Sequence, residues 1–176
     1  MLSFIGKFRR SQSGVSAIEF ALIIPLMLTT LFGVSEIANY ILAARKVSNV
    51  ASSAADLIAQ DTLVTTPEIN DIMGALNVIM HPFDTGNATI RVTSVIADEN
   101  TGNTTVHWSD ARGVAPRTQG APVSIPNILG NGQSVIMAEV SFRYQTLFGE
   151  YLNDGMTVTD TFYLKPRRST KVERVL

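Results

Sequence analysis

The sequence predicts an α+β protein in which one long N-terminal helix, a second shorter helix and a roughly four-stranded antiparallel sheet make up the fold. Three observations predict it. An apolar run near the start passes without a break into a 3.6-residue apolar pattern that reaches about residue 60. A segment with helix-start signals follows at Thr65. Beyond residue 88, stretches of alternating apolar and polar residues are separated by Gly, Pro and Asn.

The 176 residues make room for one domain plus whatever tail it carries. Lys and Arg number 14 against 15 Asp and Glu, a formal net charge of −1, so whole-chain charge gives no ground for a nucleic-acid partner. The lack of cysteine excludes disulfides, zinc–thiolate sites, iron–sulfur clusters and a thiol nucleophile. Charged residues make up 16% of the chain where about a quarter is usual, and the apolar excess gathers at the N-terminus.

Residues 1–14 carry Lys7, Arg9 and Arg10 and no acid, and they close on Ser-Gln-Ser-Gly. The run from Phe20 to Ser35 is free of charge and flanked by Glu19 and Glu36. As a helix it spans about 24 Å, short of a hydrocarbon core of roughly 30 Å. Extending it back to Val15 and on through Ile37 to Ala44 supplies the length, but sets Glu19 at or inside the membrane boundary. A carboxylate costs about 2.5–3.5 kcal/mol at the centre of a membrane helix, so it needs a partner or a function. A cleaved secretory signal fits poorly, because Glu36, Ile37 and Ala38 stand where small residues are wanted. An ordinary signal anchor, with Arg9 and Arg10 held inside, is a second reading.

A third reading rests on Gly14-Val15-Ser16-Ala17-Ile18-Glu19-Phe20. This string resembles the class III signal of type IV pilins and pseudopilins: a short basic leader ending in Gly, then a mature N-terminus with Glu fifth and an aromatic sixth. The resemblance implies that a prepilin peptidase cuts between Gly14 and Val15 on the cytoplasmic side and leaves the apolar helix intact. It also implies that Glu19 pairs with the N-terminal amine of a neighbouring subunit during assembly. That pairing would give the acid its counter-charge, as a low dielectric requires.

The helical pattern continues through Val47, Val50, Ala51, Ala54, Leu57 and Ile58, with Ser48, Asn49, Ser52, Ser53 and Asp56 on other faces. One helix over residues 15–60 measures nearly 70 Å at about 1.5 Å per residue. Pro25 lies inside it and predicts a kink or a loosened turn, which membrane helices tolerate. Glu36 reads either as an interfacial residue where the helix leaves the lipid or as an inter-subunit contact, with Arg45 and Lys46 as its candidate partners.

Thr65 and Glu68 have capping-box spacing and Pro67 suits a first turn, so a second helix carries Ile69, Ile72, Met73, Leu76, Ile79 and Met80 and stops at Pro82. A hairpin follows over Ala88–Ala97 and Thr104–Ser109, with Ile90, Val92 and Ile96 on one face of its first strand. Ala111 to Gly132, which holds Pro116, Pro122 and Pro126, reads as a long surface loop with a turn of helix near Ile128. The clearest strand places Ile136, Ala138, Val140, Phe142 and Tyr144 on one face, and Val135, Met137, Glu139, Ser141 and Arg143 on the other. Thr157–Leu164 is the last strand, and Arg167, Arg168, Lys171 and Arg174 form a basic, solvated tail that contact with anionic lipid or an acidic partner is the alternative use for.

The segment Gly132 to Tyr144, the start Gly14 to Phe20 and the pair Pro166-Arg167 together resemble the TadE-like minor pilins of tight-adherence (Tad/Flp) pilus systems; Gln145 and Thr146 depart from a turn proline common in relatives. The resemblance implies a leader over 1–14, a transmembrane and spine helix over 15–60, and a periplasmic or extracellular head over 61–176. It implies a minor pilin in the bacterial inner membrane, N-terminus inside, and possible passage into the extracellular pilus. Its partners would be the prepilin peptidase, other major and minor pilins, the inner-membrane assembly platform and the lipid bilayer. Loss of the leader removes Lys7, Arg9 and Arg10 and takes the charge from −1 to −4. The runner-up is an unprocessed single-pass protein with a periplasmic partner-binding domain.

No cofactor, metal or enzymatic activity is expected. His81 and His107 lack ligand spacing and read as structural, and neither a phosphate loop, a G-x-S-x-G elbow nor an H-E-x-x-H occurs. Asp154 and Asp160, with Glu150 and Asn153, are oxygen donors that calcium accepts, but turn and strand roles suit them better. An anchored hydrolase would need Asp154 or Asp160 as an acid–base pair. The glycosylation sequons at Asn87 and Asn103 read as exposed turn residues.

Overall fold

The computed structural model describes residues 12–146 and 155–175. Glu150, Asn153, Asp154 and the leader charges Lys7, Arg9 and Arg10 lie outside the described residues. The chain divides into two compact units, Met1–Tyr40 and Ile41–Leu176.

The first unit is the opening of helix α1, Gln12–Gln60. Its large apolar side chains from Val15 to Ile37 lie almost wholly in the open, up to 73% exposed at Leu22. Among the described residues this is the one helix long and apolar enough to cross a membrane, with a mean hydropathy of 2.1 over a window in which nothing is buried. The helix runs through Pro25 unbroken. Thr29 and Thr30 turn their hydroxyls back onto the carbonyls of Pro25 and Leu26, at 2.7 and 2.9 Å, so neither needs a polar partner outside the helix.

In the second unit the same helix has an inside and an outside. Ala43, Val47, Val50, Ala51, Ala54, Ala55, Ile58 and Ala59 are all buried. This arc recurs every three to four residues, and its alanines permit close approach of whatever packs on it. Leu57, expected on this face, is instead 46% exposed, because it falls just past the edge of the arc while Ala55 falls within it.

Strand β1 (Leu63–Thr65) leads into α2 (Thr66–Met80), whose Ile69, Met73, Leu76 and Met80 are buried at helical spacing. The cap differs from the simple box. Glu68 accepts both the Thr65 N–H and the Thr65 hydroxyl, each at 2.8 Å, and these bonds hold its carboxyl below the usual range.

Strands β2 (Ala88–Ala97), β3 (Thr104–Arg112), β4 (Ser134–Tyr144) and β5 (Met156–Leu164) form an antiparallel sheet in the order β3-β2-β4-β5. The β2–β3 turn is tied by Asp98, which accepts N–H groups from Asn100 and Thr101, and it needs Gly102 at φ +70°, where a Cβ would come within 2.9 Å of Asn131 Oδ1. The register aligns Val92, Ala138 and Phe162, and Ile90, Val140 and Asp160, on one face. The helices cover that face: Ser48 of α1 donates its hydroxyl to Asp160, and Arg112 donates to the Met73 carbonyl of α2 at 3.3 Å.

The other face is covered too, which corrects two expectations for residues 111–132. Residues 111 and 112 continue β3, and no helical turn forms near Ile128. The rest of the segment is a lid. Val123 is buried in a cluster with Val95, Val106, Val135 and Met137, and Ala121, Ile125, Leu129 and Tyr163 pack around them. Backbone bonds from Val106 to Ala121, Gly120 to Val106 and Val123 to Thr104, at 2.8–3.0 Å, extend the sheet past β3 and protect part of its edge. A β-bulge in β3, which pairs Trp108 with Ser94 but Val106 with Val95, sets Val106 beside Val95 in this cluster.

The basic tail is not a solvated end, a second correction. Strand β6 (Glu173–Val175) pairs in parallel with β1, Leu63 opposite Glu173 and Thr65 opposite Val175. Val172 is fully buried, the Arg167 N–H bonds Ala59 O at 2.9 Å, and the Arg167 side chain pairs with Asp56. Arg174 keeps only 10% of its side chain exposed and meets Asp110 at 2.8 Å and Thr66 Oγ1 at 3.1 Å. Arg167, Arg168 and Lys171 keep exposed surface, so among the four tail cations it is Arg174 that is largely covered.

Candidate functional site

The candidate site is the first unit's helix surface, since the residues singled out by the sequence signal fall there. Gly14, Val15, Glu19 and Phe20 all lie on α1 and are exposed, Val15 at 57% and Phe20 at 64%. A Cβ added at Gly14 would meet nothing within 4 Å. Glycine inside a helix costs about 1 kcal/mol relative to alanine, so this fold gives Gly14 a cost and no packing benefit. Glu19 has no ion-pair partner among the described residues.

Glu36 differs from Glu19. It is half-buried, and both its carboxylate oxygens are shielded from solvent and accept no hydrogen bond. Of its two candidate partners, Lys46 is engaged within the second unit, where its ammonium donates to the Ile79 carbonyl at 2.7 Å near the end of α2. Arg45 is exposed. Pro25 lies in the exposed apolar surface between the two acids.

These positions fall inside a stretch that a family model matches. Residues 14–56 match the family described as TadE-like protein. The TadE-like match begins at Gly14 and ends within the buried arc of α1, so it contains both acids, Pro25, Arg45 and Lys46. The match is consistent with a TadE-like protein associated with a Tad pilus system, and the apolar helix is consistent with a single pass through a membrane. Neither a curated protein nor a solved structure matches the chain.

Other candidate chemistry is taken up by structure. Asp160 accepts from the Ser48 hydroxyl and, at 2.8 Å, from the Thr161 N–H. His81 follows the last residue of α2, and Asn87 and Asn103 sit exposed beside turns. No group of three or more metal-ligating side chains occurs among the described residues. The sequence reading missed an ion cluster on the lid side of the sheet: Glu139 receives Arg91 and Arg117, each at 2.8 Å. Burial alone would raise the Glu139 carboxyl, but the two guanidiniums hold it below the usual range. Glu139 was legible as an acid on the strand, and Arg117 was hidden because it comes from the lid.

Proposed function

We propose that this chain is a minor pilin or pseudopilin of a Tad/Flp pilus, cut by a prepilin peptidase between Gly14 and Val15 and needed for pilus assembly, adhesion or secretion. The observation that carries the reading is the coincidence of the TadE-like match, which starts at Gly14, with a helix surface that is apolar and uncovered from Val15 to Ile37. Lipid before assembly and neighbouring pilin helices after it are the two surroundings that such a surface suits. A glycine with open space around it also suits recognition by a peptidase better than packing.

In this reading the leader charges hold the N-terminus in the cytoplasm, the apolar helix anchors the chain in the inner membrane, and the head is periplasmic until the subunit enters the pilus. Cleavage frees the Val15 amine, and Glu19 pairs with the amine of a neighbouring subunit at the assembly platform. Glu36 and Arg45 are candidates for a second contact between neighbouring helices. The head faces other major and minor pilins.

Intact-mass and N-terminal analysis of protein from cells with and without a prepilin peptidase tests this. A peptidase-dependent start at Val15 is the expected result; Met1 in both would overturn it in favour of an unprocessed anchor with a partner-binding domain. Glu19→Ala should leave processing and the head intact but stop incorporation into pili.

A further inference from the structure

The C-terminal segment holds the single tryptophan of the chain in place, and a histidine sits in the joint. Trp108, 7% exposed, donates its indole N–H to the Val172 carbonyl at 2.8 Å. Its neighbour His107 sets Nε2 3.4 Å from a Glu173 carboxylate oxygen, while Nδ1 is buried and has no hydrogen-bond partner. Glu173 is shared with Lys171 at 2.7 Å, and its own N–H closes onto Thr62 O at 3.0 Å, beside the β1–β6 pairing.

This geometry suits a neutral imidazole. With its proton on Nε2 the ring points a donor at Glu173 and leaves the Nδ1 lone pair unengaged in the interior. A second proton would have to reside on Nδ1, where it finds no acceptor, and its charge would be taken from water. The charged groups acting on the ring are Glu173, which favours that proton, and Lys171, which opposes it. Burial, with Lys171 acting in the same direction, outweighs Glu173 and pushes the His107 imidazole below its ordinary range. Lys171 holds the Glu173 carboxyl below its own ordinary range, so Glu173 stays charged while His107 titrates.

We propose that residues 165–175 are a pH-sensitive clasp on the head, opened in mild acid by protonation of His107. The sign follows from linkage. A histidine whose pKa is lower with the clasp seated binds protons better once it is released, so the seated state loses ground as pH falls through the ordinary histidine range. Each unit by which the two pKa values differ multiplies the released population tenfold. Release would unpair β6 from β1 and uncover Trp108 and Asp110. This inference concerns the head alone and stands whether or not Gly14 is a processing site.

Trp108 makes the test direct. The full chain in detergent micelles is taken from about pH 8 to about pH 5, the window in which histidine titrates, while Trp108 emission and acrylamide quenching are followed. A one-proton red shift with increased quenching is expected while far-UV circular dichroism stays helical, and His107→Gln should abolish it. Emission that stays flat in the wild type, or the same transition in His107→Gln, would overturn the proposal. Should His107→Gln misfold, proton NMR of the wild type decides, with the urea-unfolded chain as the reference. The folded His107 should titrate below its own midpoint in the unfolded chain, and the Val172–Val175 amides should move with it; a folded midpoint at or above the unfolded one would overturn the clasp.

Discussion

Helix α1 is one element exposed to two kinds of surroundings. From Val15 to Ile37 its large apolar side chains are mostly exposed, while from Ala43 to Ala59 an arc of alanine, valine and isoleucine is buried and the remaining positions include serines, an asparagine, Arg45, Lys46, Asp56 and Leu57. Helicity is the same in both stretches, so the backbone does not distinguish them. The side chains do: large residues all round suit lipid or other helices, and small residues on one face suit a sheet at close range.

The comparison can be broken by equivalent truncations in the two stretches. Ile58→Ala, at a site with no exposed surface, should cost the head about 2–5 kcal/mol, whereas Leu26→Ala, 69% exposed, should change head stability by under about 0.5 kcal/mol. Thermal unfolding in micelles reads both, at roughly 2–4 °C per kcal/mol. A large loss from Leu26→Ala would show that the first stretch supports the head after all.

Arg174→Ala sharpens the head side of the contrast. Removing the guanidinium leaves Asp110, itself 28% exposed, without its charged partner and should cost about 1.5–3 kcal/mol by denaturant titration. Smaller still is the acid response of Glu139. Its carboxyl lies below the ordinary value, so its contribution is present above that value and is lost as pH falls through the lowered one. The head should therefore weaken below about pH 4.5, and Glu139→Gln should flatten that part of the stability profile. The smallest effect belongs to Gly14→Ala, where open space predicts no change in head unfolding, whatever it does to processing.

Much of this was readable in the residues. The α1 pattern, the α2 start and the four long strands all announce themselves by period, because apolar side chains recur along one face of each. The lid and the clasp carry no such period. Val123, Ile125 and Leu129 lie in a proline-rich stretch without alternation, and the sign that they had a place to go was indirect: Val135 and Met137 make the far face of β4 apolar at one end. The β1–β6 pairing is three residues long and joins positions more than a hundred apart, too little for a pattern. Arg167 and Arg174 looked like solvent charges because Asp56 and Asp110, which hold them, are remote in sequence. At the candidate site the order was reversed: Gly14 to Phe20 was plain in sequence, and the fold adds that none of the described residues covers it.

The parallel pairing of Leu63–Thr65 with Glu173–Val175 also bears on how the protein is made. Helix α1 is made before β1, which follows within a few residues of its end. Its partner strand comes only after the four-stranded sheet has been made. The joint therefore waits until Val175 is available, and a chain interrupted before β6 leaves Trp108 without its Val172 partner. Closure of that joint makes synthesis through Val175 a condition of the native surface around Trp108.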